Sequence, residues 1–587
     1  MSKVQEIINL ANKQALAGTI AEMFVHYDQL RVGKINEIKE LRNYIFATDT
    51  KTTSNQKLPW KNSTTIPKLC QIRDNLAANY NSALFDNDNW LKWDWEGGKD
   101  SDVTQEKAEI IEDYMKTKLR ESNFEPMVEK LLYDYIDTGG ATAEVIYIND
   151  INELEEENVV RYRGPALRRL SIYDHVFNPV AVTYDDAPKI TRYLKSVGEI
   201  QDDILTRPDL KYSQDALDQL KKYREAIGGY NKEDIHKAEG YINDGFGNYG
   251  DYISMGYTEI LEFDGSIHDM QTGEYLKDYL ITVLDRKYVL RQEKNPSWLK
   301  GNKAHISWRE RPDNLYGMGP LDNLVGMQYR IDHLENLKAD ALDLTIHPPI
   351  KKIGEVEDFT WQPREIIEIP DTDGDVIPLP PNPAAFQVNN EIAYLEAMME
   401  AMAGAPKEAM GIRSPGEKTA FEVSQLQNAA GRVFQDKIRR FEKYFLEPLL
   451  NIFLEVARRE FDGIESVKTV DRASGAVAFR DITKEDILAI GKLRPIGSRH
   501  FAQQAQFLQN LQGVFNSPVG EMIKAHINTE KLAKVTSEFL GWDKYGIIAE
   551  NAGIAEQADQ ADLMNQLQQG VDEKAVGPDV LAGESEI

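Results

Sequence analysis

The stretch that decides the fold runs from Ala405 to Phe461, APKEAMGIRSPGEKTAFEVSQLQNAAGRVFQDKIRRFEKYFLEPLLNIFLEVARREF. A short loop rich in Pro and Gly carries Lys407, Arg413 and Lys418 against Glu408 and Glu417, a net charge of +1. It sits directly before a helical pattern of about forty residues that begins near Thr419. Phe434, Ile438, Phe441, Phe445, Leu449, Ile452 and Val456 recur at spacings of four and three, an apolar stripe down one helix face. Unbroken, such a helix would span about 63 Å at 1.5 Å per residue. Pro448 falls inside the pattern and removes a backbone donor, which predicts a bend near Phe445.

Upstream, a second helical pattern opens at Tyr316 to Pro320 (YGMGP). Its apolar positions are Leu321, Leu324, Met327, Ile331, Leu334, Leu337, Ala341 and Leu344, and His347–Pro348–Pro349 ends it. One face is expected to be buried against a neighbour, with the polar remainder free for another role. Strand-like pieces punctuated by Pro363, Pro370, Pro378, Pro380, Pro381 and Pro383 follow, then a helix from about Val388 to Ala403.

Toward the N-terminus, residues 1–60 read as helix with charged interruptions. WKNSTTIP (Trp60–Pro67) reads as a turn before a helix over Lys68 to Phe85, and Thr104 to about Thr138 as one long amphipathic helix ended by Gly139–Gly140. From AEVIYI onward the pattern turns to β, with short runs expected to break at Gly164–Pro165, Asn178–Pro179 and Ala187–Pro188. A charged helical segment lies between Asp202 and Gly240, and strands resume at Tyr257–Phe263 and Tyr279–Leu290. The fold class is α+β and helix-rich, with a mostly antiparallel sheet in the middle third. From Ser498 a Gln-rich helical pattern with Phe501, Phe507, Leu508 and Leu511 leads into an acidic tail.

Composition narrows the function. The chain has 587 residues, 42% of them hydrophobic, and a formal net charge of −28, so its overall field repels phosphate and anionic lipid. A sequence-reading nucleic-acid binder is normally basic. The one cysteine, Cys70, allows no internal disulfide and no four-cysteine zinc site. The N-terminal MSKVQEIINLANKQ lacks the basic and apolar regions of a secretory signal, and no run of about eighteen apolar residues occurs.

Catalytic and cofactor motifs are weak or missing. Gly245, Gly247 and Gly250 spell G-x-G-x-x-G, but Asp251 to Phe263 after them reads as strand where a dinucleotide site needs a helix, so a flexible loop is the better reading. Asp371, Asp373 and Asp375 resemble the opening of a calcium loop, yet Val376 and Asn382 stand where that loop needs Gly and Glu. His175 and His347 are expected to satisfy local hydrogen bonds. The sequence holds no phosphate-loop lysine motif, no G-x-S-x-G and no H-E-x-x-H. The expectation is a non-enzymatic protein with no cofactor and no metal. A nucleotide-binding enzyme using Gly245, Gly247 and Gly250, or an acidic capsid adaptor or scaffold, are the alternatives.

Three stretches resemble the portal proteins of tailed bacteriophages, of the podovirus type. YRGPALRRLSIYDHVFNPVA (Tyr162–Ala181) is similar to their wing segment. YGMGPLDNLVGMQYRIDHLENLKADALDLTIHPPI (Tyr316–Ile350) is similar to the first stem helix, which ends in Pro–Pro at the clip. The opening stretch looks like the tunnel loop and the long bent wing helix. Asp202 to Tyr257 has no clear counterpart. The resemblance implies a wing over 1–315, stem helices over 316–346 and 388–404, a clip over 347–387, a tunnel loop over 405–418, a returning wing over 419–497 and a crown over 498–587. It implies stem packing through Leu321, Leu324, Met327, Ile331, Leu334, Leu337 and Leu344. The DNA-facing loop would offer Lys407, Met410, Gly411, Arg413, Ser414, Gly416 and Lys418. Clip contacts to terminase or adaptor would involve Lys351, Lys352, Trp361, Arg364, Asp371, Asp373 and Asp375. It further implies a ring of twelve copies passing double-stranded DNA at the capsid vertex, with the major capsid protein, terminase large subunit and tail adaptor as partners and no membrane. Such a protein resides in the virion, and in the host cytoplasm during assembly.

Overall fold

The computed structural model of the chain describes residues 2–46, 62, 64–85, 90–95, 102–153, 158–207, 210–227, 257–268, 273–346, 348–354, 375–379, 387–403, 433–461, 463–470, 477–489 and 491–496. The fold is mixed α+β, and every strand pair is antiparallel. Among the described residues no sheet closes into a barrel.

Helix α1 (Ser2–Phe46) is one element of 45 residues, without the interruptions its charges suggested. Its length lets it serve two cores. Leu16, Ala17, Ile20 and Phe24 cover one face of a five-stranded sheet, whereas Leu41, Tyr44 and Ile45 join the largest core. Between them the buried Arg31 donates to the carbonyls of Tyr173 and His175 (both 2.9 Å) and pairs with Asp28, so no part of its guanidinium is left dry and unpaired.

The five-stranded sheet orders β4 (His175–Phe177), β5 (Lys189–Ser196), β6 (Tyr257–His268), β7 (Tyr275–Leu284) and β8 (Tyr288–Lys294). Side chains alternate between its faces: Leu261 and Phe263 meet α1, while Ile260 meets α5 (Val197–Thr206) and α6 (Gln214–Ile227) through Ile200, Leu217 and Leu220.

A three-stranded sheet, β3 (Asn158–Arg169), β2 (Gly140–Glu153) and β9 (Lys303–Ser307), stands beside it. The two sheets are joined by buried charge. Lys303 Nζ lies 3.3 Å from Glu144, 2.8 Å from Glu262 and 3.9 Å from Asp264. Burial alone would raise the Glu144 carboxyl, but Arg168 and Lys303 outweigh it and hold the group well below the usual carboxylate range.

The largest core gathers α2 (Lys68–Leu84), α3 (Asp102–Glu121), α4 (Phe124–Asp137) and the long C-terminal helix around Trp308, Tyr135, Phe124 and Phe453. That helix runs over 433–460, and Ile438, Phe441, Phe445, Leu449, Ile452 and Val456 are all buried as their spacing requires. Glu442–Leu446 is a π-helical turn, in which Glu447 N–H reaches back five residues to the Glu442 carbonyl. Pro448 cannot donate to the Tyr444 carbonyl four residues back, and the wide turn absorbs that break immediately before it. The irregularity therefore includes Phe445, where the sequence places it.

Two sequence expectations need correction. Thr104 to Thr138 is not one helix: Asn123 adopts φ 53 and separates α3 from α4, a left-handed conformation that Asn tolerates better than most residues. Gly164–Pro165 does not break its strand, and β3 pairs through it, with Ile148 opposite Gly164 and Tyr147 opposite Pro165. Proline is tolerated there because β3 is an edge strand.

Gly139 earns its place by close approach. It has φ +76, and a Cβ on it would lie 2.4 Å from Gly319 N. A Cβ on Gly319 would in turn lie 2.7 Å from the Ile136 carbonyl. The end of α4 and the YGMGP segment thus cross backbone on backbone. Gly139→Ala is expected to destabilise the fold by about 2–4 kcal/mol, read as a lowered midpoint in thermal or denaturant unfolding.

Candidate functional site

The residues of the stripe from Leu321 to Leu344, with Lys351, Lys352 and Asp375, lie on a helix pair and the two-stranded ribbon it carries, an arm. After the short 3-10 turn Asp322–Leu324, helix α7 (Val325–Ile346) leads to β12 (Ile350–Ile353), which pairs with β13 (Asp375–Pro378), and α8 (Val388–Ala403) returns against α7. Pro348 and Pro349 follow the helix end, as predicted, and α8 occupies the residues its pattern marked.

The root of the arm is fixed by polar groups. Asp322 caps the turn by accepting from Gly319 N–H (2.9 Å) and pairs with Lys34 of α1 (2.6 Å). Along α7, Gln328, Asp332, Asn336 and Asp340 recur every four residues, and together they grip the backbone of the extended segment around 62–69. Leu69 N–H donates to Gln328 Oε1 (3.2 Å), Ile66 N–H to Asp332 Oδ1 (3.1 Å), Thr64 N–H to Asn336 Oδ1 (2.7 Å) and Asn62 N–H to Asp340 Oδ1 (3.0 Å). In return Gln328 Nε2 donates to the Ile66 carbonyl (2.5 Å) and Asn336 Nδ2 to the Thr64 carbonyl (3.1 Å). Up to Pro67 the chain pairs with no strand among the described residues, and Leu69 N–H belongs to the first turn of α2, so side chains supply bonds that neither a strand nor the helix gives. At the end of that segment Lys68 pairs with Glu400 of α8 at 2.6 Å, both buried.

This places part of the stripe differently from the sequence expectation. Leu321, Leu324, Ile331 and Leu334 are buried and Met327 is half-buried against the main core, but Leu337 and Leu344 are exposed. The polar face is not all free for a channel either: Gln328, Asp332 and Asn336 are fully buried under the 62–69 segment. Sequence reading missed this ladder because a polar residue every fourth position looks like a solvated helix face.

Beyond the root the arm leaves apolar side chains uncovered. Leu337, Leu342, Leu344 and Ile346 (61% exposed) lie on the last three turns of α7, and Tyr394 (64%), Met398 and Met402 on α8. On the two-stranded ribbon Ile353, Ile377 and Leu379 are exposed too. Lys351 and Lys352 face water opposite Ile377 and Val376, and Asp375 stands opposite Ile353. Trp361, Arg364, Asp371 and Asp373 lie outside the described residues. So do the loop residues Lys407, Met410, Gly411, Arg413, Ser414, Gly416 and Lys418, as well as Gly245, Gly247 and Gly250 and His347.

No catalytic constellation appears among the described residues. His175 bonds Thr191 and Tyr184 (both 2.8 Å), the local satisfaction expected of it, and burial pushes its imidazole well below the usual range; burial also lowers His305, to about 4. The cavity beside them, lined by His175, His305, Thr142 and Tyr316, measures about 20 Å³, room for one water. No cluster of three or more metal-ligating side chains occurs among the described residues, and none of their helices is long and apolar enough to cross a membrane. No family model matches the chain, and no curated protein matches it.

Asp332 is the titrating member of the ladder. Burial raises its carboxyl from 3.8 to about 7, while the bonds from Ile66 N–H and Gln328 oppose the rise. A folded value above the unfolded one means that the fold holds the proton. Its stabilisation is complete below about pH 4 and is lost as pH rises through about 7. Asp332→Asn keeps the Oδ1 acceptor and cannot ionise. It is expected to match the wild type near pH 5 and to exceed it by about 1–2 kcal/mol at pH 8, measured by denaturant unfolding at the two pH values.

Proposed function

We propose that copies of this chain close into a ring, twelve in the reading that the portal resemblance supplies, and form the conduit at a phage capsid vertex through which double-stranded DNA enters and leaves. The single observation that carries this reading is the arm: a helix pair with a polar, buried root and an apolar, uncovered far half, carrying a two-stranded ribbon at its tip. An isolated two-stranded ribbon is marginal in water, and a helix end studded with Leu and Ile gains stability only when something covers it. Identical arms standing side by side cover one another, because a heterologous contact that closes needs only that each copy meet the next. In this reading α7 and α8 are the stem, the ribbon is the clip that meets terminase and tail adaptor, and residues 405–418 form the loop that faces the lumen. The wing around them would seat against the major capsid protein.

The charge sense fits passage. A net charge of −28 per copy gives a ring that repels the phosphate rod. A basic wall would instead hold DNA through counterion release at each neutralised phosphate. Repulsion reaching about 8 Å at physiological salt keeps a duplex centred and free to slide.

Negatively stained class averages of the purified protein are expected to show rings with a lumen; compact single particles would overturn the reading. Replacing Leu344 and Ile346 together by Asp is expected to leave helical content unchanged by circular dichroism and to abolish rings, since burying two carboxylates in every contact around the ring costs several kcal/mol. Deleting Met410 to Gly416 is expected to preserve the ring and to impair DNA retention or passage in a packaging assay. Loss of the ring in that deletion would make the loop structural.

A further inference from the structure

One region departs in sign from the rest of this acidic chain. The exposed strand β10 (Arg309–Arg311) lies against the start of the long helix 433–460. Lys437 Nζ donates to the Trp308 carbonyl (2.7 Å) and sits 4.6 Å above the Trp308 ring, and Arg440 pairs with Glu310 at 2.5 Å. Arg309 stacks over the same indole at 5.3 Å. These contacts bring Arg309 beside Lys437 and Arg440; Arg311 follows two residues along the strand, and Arg439 and Lys443 are exposed on the same two turns of the helix. Arg440 and Lys443 flank the half-exposed Tyr444 ring, at 5.8 and 5.4 Å. Four of the six cations, Arg309, Arg311, Arg439 and Lys443, have no carboxylate within ion-pair distance among the described residues, and all four are exposed. The crowding registers on Lys437: burial first, then the charges of Arg440 and Arg309, push its ammonium below the usual lysine value despite Asp436 and Glu310.

We propose that Arg309, Arg311, Arg439 and Lys443 form a binding site for the phosphate backbone of double-stranded DNA, separate from the 405–418 loop. Three of the four are arginines, whose planar forks take two phosphate oxygens at once. Arg439 and Lys443 are one helical turn apart and present neighbouring charges along one line. A protein partner fits less well. The centre of a protein–protein contact is dry and mostly apolar, and on this part of the helix only Val433 and Tyr444 are exposed large apolar side chains among the described residues, with Glu310 and Asp436 set among the cations. The contact would be sequence-blind, since nothing in the patch offers a base-reading element. Its place in a DNA conduit rests on the reading above; its affinity for phosphate does not.

Binding of a short labelled duplex to the purified full-length protein, followed by fluorescence anisotropy between about 50 and 200 mM salt, tests it. Four phosphate contacts predict a log–log salt slope of about −3.5 for the wild type, at about −0.9 per contact. Arg311→Gln/Arg439→Gln/Lys443→Gln is expected to weaken binding at least tenfold at low salt and to flatten the slope by about three units, with the assembly state by mass photometry unchanged. Single-stranded DNA of the same length is expected to bind with a shallower slope. Duplex binding that is absent in the wild type, or equal in the triple variant, overturns the site. Loss of assembly together with DNA binding in the triple variant also overturns it, and gives the cations to a neighbouring copy. If the variant loses DNA while the wild type shows no lumen, the site stands and the conduit falls.

Discussion

The segment from Asn62 to Leu69 is held by both helices of the arm at once, and the geometry of everything distal follows from that grip. Its backbone donates to Gln328, Asp332, Asn336 and Asp340 of α7, and Lys68 at its end meets Glu400 of α8. Each bond contributes about 1 kcal/mol net, but leaving a buried partner unmatched costs about 1–3 kcal/mol, and more for a charge. The ladder is therefore cooperative in effect: α7 from Gln328 to Asp340 and the last turn of α8 sit in one place or none. A helix pair clamped at its root cannot fold its far end back onto the body. Leu342, Leu344, Ile346 and Tyr394 are consequently left exposed by the described body.

The buried ion pairs elsewhere show the same logic. Lys303 with Glu144, Glu262 and Asp264 joins two sheets, and Arg31 joins α1 to the chain around Tyr173. Apolar packing alone would let such layers slide. A desolvated charge accepts only an arrangement in which its partners are in place, which fixes register where the hydrophobic effect does not.

Much of this fold was legible in the sequence because local chemistry and global position agree. The apolar stripe from Ile438 to Val456 is buried, Pro348–Pro349 ends α7, Gly139 turns helix into strand, and Val388–Ala403 is helical as its spacing requires. Legibility failed where a long-range partner overrides local preference. Asn123 breaks an amphipathic run with nothing but a left-handed turn, and Pro165 sits inside a strand because the other edge of that strand has no neighbour to bond. The candidate site divides in the same way. The stripe's buried half, Leu321 to Leu334, could be read from period alone, whereas the exposure of Leu337 and Leu344 depends on where the 62–69 segment and α8 stop covering it. Period cannot report that, since it fixes which residues share a face and not what lies opposite.

An acidic shell and a cationic patch look contradictory until their ranges are compared. In the proposed conduit the net charge would act through the summed field, which ions screen within about 8 Å, and would keep a duplex away from the wall on average without forming any contact. The proposed phosphate site, four cations without an ion pair among the described residues, would act on touch, through counterions released one phosphate at a time. Sequence-blind phosphate contacts of this size typically give dissociation constants of about 10⁻⁴ to 10⁻⁶ M at physiological salt, and the surrounding negative field weakens them further. Such contacts break and re-form rapidly. A duplex that met only the acidic field would have nothing to brake it, and one that met only arginines would stall. Weak cationic touch points set within a repelling surface would give a third behaviour, in which the rod is registered at intervals and still moves. The Lys437–Trp308 and Arg440–Glu310 contacts tie this part of the helix to the core around Trp308, so the cations beside them are held on a packed element rather than on a free loop.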